Sequence, residues 1–373
     1  MRRMRSAVIG GGINGVMSAW ALAGRGYAVD LYERSELMGA TSSASTKLIH
    51  GGLRYLEHGE FRLVREALRE RVFWTSSAPQ LVHKLELTVP VYNSTRRPAW
   101  MMRAGLLLYD LLAGKANLGR HRWMNRTELC RCCPELNPDG LSGAFTFFDA
   151  QMDDRRLGLW ASEKAASAGV VLKAGTAVDA ISSDGSLQAN GSSARYDLVV
   201  NAAGPWAEAL LKRSGIPSAH SLDLVRGSHL VLTSPAAHAF LVEVPDEDRL
   251  CFILPYQGRT LLGTTEVRQS LDEPIECTPA EQSYLLRVYN HYIRPHATEH
   301  DIAGSFAGLR PLIRSNANPS RATREYAIET QGRVITVFGG KWTTSRALGE
   351  NVAAAADLIL RGKSAHQGPN GLH

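Results

Sequence analysis

No stretch of this 373-residue sequence is apolar for long enough to cross a bilayer, and its start has no apolar core of a secretion signal. Met1-Arg-Arg-Met-Arg5 leads straight into a short apolar run. These absences favour a cytoplasmic chain over an exported or membrane-spanning one. Cysteine is scarce: there are five, an odd number, with Cys130, Cys132 and Cys133 crowded into one segment. That spacing matches neither a zinc pair nor a disulfide framework, so the expectation is five reduced, structural thiols and no metal centre. No internal repeat is present, which excludes solenoids and propellers. The low-complexity tail, residues 364–373, is expected to be disordered. The charge imbalance is modest, +6 from 42 basic and 36 acidic residues. It favours anionic ligands or an anionic membrane surface, while the scatter of the basic residues argues against nucleic acid. The length suggests two or three domains, and 44% hydrophobic residues are enough for a sizeable core.

What the sequence does contain begins at Ala7-Val-Ile9, an apolar run followed by Gly10-Gly-Gly12-Ile-Asn-Gly15, a helical pattern from Val16 to Arg25, and a second apolar run from Ala28 to Tyr32 ending at Glu33. Strand, glycine turn, helix, strand and acid occur in the order of a dinucleotide-binding unit. Gly10 makes the tight turn, Gly12 admits a pyrophosphate to the helix N-terminus, Gly15 lets helix and strand pack closely, and Glu33 holds a ribose hydroxyl pair. Arg34 could pair with a 2'-phosphate, but Glu33 beside it repels one, which disfavours NADP. Downstream, at the distance where a flavin would lie, stands Ala40-Thr-Ser-Ser-Ala-Ser-Thr-Lys-Leu-Ile-His-Gly-Gly-Leu-Arg-Tyr-Leu56. Together the two stretches point to a flavoenzyme.

Apolar periodicity predicts a helix from Phe61 to Ser77 and another from Asp154 to Ala168. Val170 to Ile181, Leu198 to Ala202 and Val334 to Phe338 read as strands, with a last helix starting around Lys341 to Thr344. Alternating segments such as Ser228-His-Leu-Val-Leu-Thr233, Leu250 to Leu254 and Thr260 to Gly263 read as an antiparallel sheet roofing the flavin. The expected fold is α/β: a Rossmann-like FAD-binding domain from residues 1–80, 150–220 and 331–363, with a mainly antiparallel-sheet substrate domain from 81–149 and 221–330.

The chain resembles the FAD-dependent glycerol-3-phosphate dehydrogenases of the glycine/D-amino-acid oxidase superfamily. The resemblance rests on the two stretches above and on Phe61 to Leu68, Arg97-Pro-Ala-Trp100, Asp149-Ala-Gln-Met-Asp-Asp-Arg155 and Val200-Asn-Ala-Ala-Gly-Pro-Trp206. It continues through Gly227-Ser-His229, Gly263-Thr-Thr265, Gly308-Leu-Arg-Pro-Leu312 and Phe338-Gly-Gly-Lys-Trp-Thr-Thr344. The family's bacterial dehydrogenases continue into a C-terminal helical domain, whereas this sequence stops after a helix near 349–360. The resemblance implies FAD as cofactor and oxidation of sn-glycerol 3-phosphate to dihydroxyacetone phosphate, with electrons passed to quinone or another acceptor. Two other readings stay open. One is a relative acting on a phosphonate, another phosphorylated hydroxy compound or an amine; the other is a flavin-binding subunit without turnover.

For site residues, the resemblance makes Arg54 and Arg310 ligands of a substrate phosphate, which a guanidinium fork matches bidentately. Lys341 would lie near flavin and substrate, and Tyr55 would hydrogen-bond the substrate. The proton acceptor is assigned to His229, with His50 as the alternative. Thr41, Ser42, Ser43, Ser45, Lys47, Leu48, His50, Gly51 and Gly52 would wrap the flavin and its pyrophosphate. Ile13, Asn14, Ala177, Val178, Ala203, Gly204 and Trp206 complete the nucleotide side. Gly339, Gly340, Lys341, Trp342, Thr343 and Thr344 would bring a helix N-terminus to the ring edge where reduced flavin carries negative charge. Finally, Arg96 to Leu112 combines cations, Trp100 and a continuous apolar run. It suits an interfacial helix, peripheral on the cytoplasmic face of the inner membrane, or a buried helix of the roof. A homodimer is left open.

Overall fold

A computed structural model describes residues 3–314 and 326–362; the tail at 364–373 lies outside the described residues. A six-stranded sheet runs in the order Tyr326–Gln331, Val334–Gly339, Leu198–Asn201, Arg5–Ile9, Ala28–Tyr32, Val171–Lys173. All its pairings are parallel except the hairpin of the first two strands. Its central strands are continuous apolar runs because both faces are covered: Ala7, Val8, Leu198, Val199, Val200, Val334 and Ile335 are fully buried.

The helices are α1 Ile13–Gly24, α2 Phe61–Ser77, α3 Ala99–Ala113, α4 Arg126–Cys132, α5 Asp154–Ser167, α6 Ala207–Arg213, α7 Pro279–Tyr292 and α8 Ser345–Arg361. Helix α1 starts three residues before its apolar pattern suggests, because Ser42 Oγ accepts the Ile13 amide and stands in for a cap that Gly12 lacks. Helix α8 lies close against α1. A side chain at Gly349 would strike the backbone of Met17, and Arg25 and Tyr27 lock the far end by bonding Asp357.

The roof is a mainly antiparallel sheet, ordered Val267–Arg268, Leu222–Leu232, Arg259–Gly263, Leu250–Tyr256, Ala239–Glu243, Val82–Tyr92, Leu141–Met152, Leu48–Ile49. Strand Ile302–Ile313 pairs along Leu222–Leu232. The pairing of Leu48 and Ile49 with Gln151 and Ala150 stitches the segment after the dinucleotide unit onto the roof.

One expected strand is two. Val171–Lys173 and Val178–Ile181 belong to different sheets, separated by a turn with Gly175 at φ +70°. The Gly175 and Thr176 amides donate to the carbonyls of Ser35 and Glu33, which brings Ala177 back to the end of the Ala28–Tyr32 strand. Helix α3 is neither wholly buried nor wholly free. Leu106, Tyr109 and Ala113 enter the roof core, while Trp100, Leu107 and Leu111 form an exposed stripe, Trp100 and Leu111 being 72% and 76% accessible.

Because that stripe makes no core contact, Leu107→Asp with Leu111→Asp should change unfolding free energy by no more than about 0.5 kcal/mol. Urea unfolding followed by circular dichroism checks this; loss of the folded state would put the stripe in the core.

Candidate active site

Between the C-terminal ends of the parallel strands and the roof lies a cavity of about 880 Å³, a volume typical of ligand sites. Several pieces of chain meet there, among them the N-terminus of α1, the strand end at 32–36, the segment 39–58, residues 176–179 and 202–206, the turn 339–343, and roof residues including Thr264, Glu266 and Arg310.

The α1 end is built for close approach. Gly10 has φ +109°, and a side chain there would overlap the Ala202 carbonyl. One at Gly15 would overlap the Gly10 carbonyl, so helix and strand touch backbone to backbone. Gly12 faces the cavity, where an added Cβ would meet only Ser42 Oγ, at 3.1 Å. Glu33 lines the same end. Its Oε2 accepts the Gly11 amide at 2.7 Å and its Oε1 the Ser35 amide at 3.0 Å, which fixes the carboxylate.

The segment 41–52 is pinned from beneath by two carboxylates. Asp154 accepts from Lys47 Nζ at 2.7 Å, from Ser45 Oγ at 2.7 Å and from the Ser45 amide at 3.1 Å. Asp149 accepts from Arg71 at 2.5 Å, from Tyr109 Oη at 2.7 Å and from the Gly51 amide at 3.2 Å. From above, Trp342 Nε1 donates to the Ser42 carbonyl, Thr41 to the Leu309 carbonyl and the His50 amide to Thr343 Oγ1.

Most of the residues singled out in the sequence converge on this space. Gly10, Gly12, Ile13, Asn14, Glu33, Thr41, Ser42, Ser45, Leu48, His50, Gly52, Arg54, Tyr55, Ala177, Val178, Ala203, Gly204, Trp206, Arg310, Gly339, Gly340, Lys341, Trp342 and Thr343 line it. Arg310 donates to Thr264 Oγ1 at 2.9 Å and stands 3.5 Å from the Glu266 carboxylate. It lies across the strand at Gly227, where any side chain would collide with its guanidinium. Arg54 donates to the Asp248 carbonyl at 2.9 Å, and the Lys341 ammonium sits 3.9 Å from the centre of the Tyr55 ring.

Other expected residues stand elsewhere. Lys47 is 5% accessible and committed to Asp154 and the Ser43 carbonyl, so it is an internal tie and not a phosphate ligand. Ser43 turns its hydroxyl to the Ala40 carbonyl; Gly51 is held by Tyr109 and Asp149; Thr344 is buried at the start of α8. His229 does not reach the cavity wall. It is fully buried, stacked on Phe306 with ring centres 4.8 Å apart, and its Nε2 lies 3.0 Å from Thr46 Oγ1. Thr46 and Glu266, which do line the wall, were not singled out in the sequence; the Glu follows directly on the Gly263-Thr-Thr265 motif.

Comparison with known proteins decides the class. The family model described as FAD dependent oxidoreductase matches residues 5–355. The chain belongs to this family of FAD-dependent oxidoreductases. It is 38% identical over 368 residues to a glycerol-3-phosphate dehydrogenase of Pseudomonas tolaasii, covering 93% of this chain and 70% of that one. It is 37% identical over 362 residues to a D-erythritol 1-phosphate dehydrogenase of Brucella abortus, covering 92% and 71%. The solved glycerol-3-phosphate dehydrogenase of Bacillus halodurans, complexed with FAD, superposes with a TM-score of 0.77 at 25% identity, over 96% of this chain and 65% of that chain. The oxidoreductase therefore uses FAD. Its glycine turn, its fixed Glu33 and the volume between α1 and the roof fit that cofactor.

Burial, together with the positive charges of Arg310 and Lys47, holds the His229 imidazole well below its ordinary pKa. Above about pH 6.5 His229 is neutral folded and unfolded; below that the unfolded chain takes up a proton the folded one refuses, so stability falls. The oxidoreductase should lose stability below about pH 6.5 with a contribution from this residue of up to about 1.4 kcal/mol per pH unit, and His229→Asn should flatten the slope. Melting curves of the two proteins that stay parallel down to pH 5 would contradict this placement.

Proposed function

We propose that this oxidoreductase oxidises sn-glycerol 3-phosphate to dihydroxyacetone phosphate, with quinone or another acceptor taking the electrons. The observation that carries this reading is the pair of arginines, Arg54 and Arg310, lining the same cavity as Lys341. A phosphate dianion placed against Arg310 competes with the Glu266 carboxylate for the guanidinium. It also gains charge-assisted hydrogen bonds that a neutral polyol does not. When bound in this cavity, FAD would supply the acceptor for a hydride from the substrate carbon. The chain's own residues do the rest. Arg54 and Arg310 fix the phosphate end and so the distance of the hydroxyl from the ring. His50, on the wall, takes the hydroxyl proton. Thr46, hydrogen-bonded to a neutral His229, is a second hydroxyl at the wall and no independent base.

A second reading keeps the phosphate end and enlarges the polyol. It is supported by the similarity to the D-erythritol 1-phosphate dehydrogenase. Turnover with a dye acceptor, over glycerol, glycerol 3-phosphate and erythritol 1-phosphate, separates the two.

Peripheral membrane contact through α3 is part of the same proposal. The Trp100, Leu107 and Leu111 stripe is flanked by exposed Arg96 and Arg103, the composition of an interfacial helix. No described helix is long and apolar enough to cross a membrane. The Leu107→Asp, Leu111→Asp variant should no longer sediment with anionic liposomes.

Arg310→Ala should lower kcat/KM for the phosphorylated substrate by at least ~10-fold, since a hydrogen bond to a charged group contributes about 1.5–3 kcal/mol. Flavin content and turnover of glycerol should hardly change. An equal loss on both substrates would remove Arg310 from the phosphate site.

A further inference from the structure

Outside the cavity lining, where α4 meets the roof sheet, three side chains of metal-ligand chemistry come together. Cys133 Sγ, a Glu135 carboxylate oxygen and a His238 ring nitrogen all lie within 4.8 Å of one another, and none of the three lines the cavity. His238 and Glu135 are in contact at 2.7 Å through Nδ1 and Oε1. The thiol forms the floor, 2% accessible and packed in a core with Leu129, Leu136 and Phe240. The imidazole and carboxylate form the mouth, with side chains 37% and 23% accessible.

The backbone under these groups is rigid. Cys133 ends α4, its amide donating to the Leu129 carbonyl and its own carbonyl accepting from Leu136. The turn this makes sets Cys133 and Glu135 two residues apart on one side. It is clamped by the Leu136–Ile293 bridge, by Arg294 N–H to the Glu135 carbonyl and by Asn137 N–H to the Tyr292 carbonyl. His238 directly precedes Ala239–Glu243, an interior strand of the roof held between two neighbours. Ligands on such supports lose little freedom when they close on an ion.

We propose that Cys133, Glu135 and His238 form a zinc site that ties the α4 turn to the roof strand at 239. The donor set selects the metal. A thiolate, an imidazole and a carboxylate suit Zn²⁺, whereas Mg²⁺ and Ca²⁺ require oxygen. Charge closes as well, because thiolate and carboxylate together balance the dication while the imidazole stays neutral. On binding, the thiol proton leaves to solvent, the Nδ1 proton that His238 shares with Glu135 is exchanged through solvent for one on Nε2, the two freed atoms form metal–ligand bonds in place of their hydrogen bond, and a water takes the fourth position at the exposed mouth. Separations under 4.8 Å need only small side-chain shifts to reach bond lengths of about 2.3 Å to sulfur and 2.0–2.2 Å to nitrogen and oxygen.

The test uses the flavin-loaded protein, stripped with a chelator, given zinc alone and dialysed. About one zinc per chain should remain by elemental analysis, with one sulfur neighbour near 2.3 Å in X-ray absorption and a zinc-dependent rise in melting temperature. His238→Gln, changed at the exposed mouth, should bind zinc at least ~10-fold more weakly and lose that rise. Cys133→Ser should do the same, and Cys132→Ser, at the exposed neighbouring thiol, should behave as the unaltered protein. If the buried Cys133→Ser variant does not fold, as judged by flavin content, His238→Gln decides alone. Zinc retained equally by His238→Gln, zinc that follows Cys132, an absorption spectrum without sulfur, or no zinc on the unaltered protein would each overturn the proposal.

Discussion

Two carboxylates, Asp149 near the end of the roof strand Leu141–Met152 and Asp154 at the start of α5, carry the architecture. Asp149 and Asp154, both nearly inaccessible, receive Arg71 and Lys47 respectively, so two full charge pairs are desolvated at the joint between the parallel sheet and the roof. Such pairs gain little net stability, because taking the charges out of water costs about what their attraction returns. Removing one partner, however, strands a buried charge at a cost of about 3–5 kcal/mol, so the arrangement is specific. What it specifies is the path of residues 41–52, which carry Ser45, Thr46, Leu48 and His50 to the cavity wall.

From that path the rest of the site follows. With 44–46 held down, Gly308 lies so close to Ala44 that no side chain fits between them, and Ile302–Ile313 brings Arg310 over the cavity two residues further on. Thr46, fixed beside Lys47, occupies Nε2 of the buried His229 imidazole. Arg310 on the roof, Arg54 just beyond the pinned segment and Lys341 on the turn before α8 line the cavity, whereas Lys47 of the pinned segment does not.

Local patterns in the sequence were read well where the forces are local. Helix α2 spans Phe61–Ser77 as its periodicity indicates, and the strands at 28–32 and 334–338 were evident from apolar runs. Gly10, Gly12, Gly15 and Glu33 were legible because their spacing is itself the constraint. Lys47 was misplaced because its partner lies 107 residues away, beyond any pattern that a phosphate loop and an ion pair would not share. That His229 is buried off the cavity lining was hidden for a related reason: a polar residue on a strand does not show which face it occupies until the pairing register is known. Cys133, Glu135 and His238 were invisible for the same cause, since the cysteine spacing alone argues against a metal and the histidine arrives from 103 residues beyond the glutamate.

The central claim is that the Asp154–Lys47 pair, and not the chain's own turns, holds the segment 41–52 in its cofactor-binding path. Hydrogen–deuterium exchange of Asp154→Asn, read alongside FAD affinity, tests it most directly. Amides of residues 41–52 should exchange faster than in the unaltered protein, those of α2 should stay protected, and FAD should bind at least ~10-fold more weakly, the loss expected when a residue positioning ligand-binding groups is removed. Unchanged exchange in 41–52 with full flavin retention would show that the pair is dispensable and contradict the account.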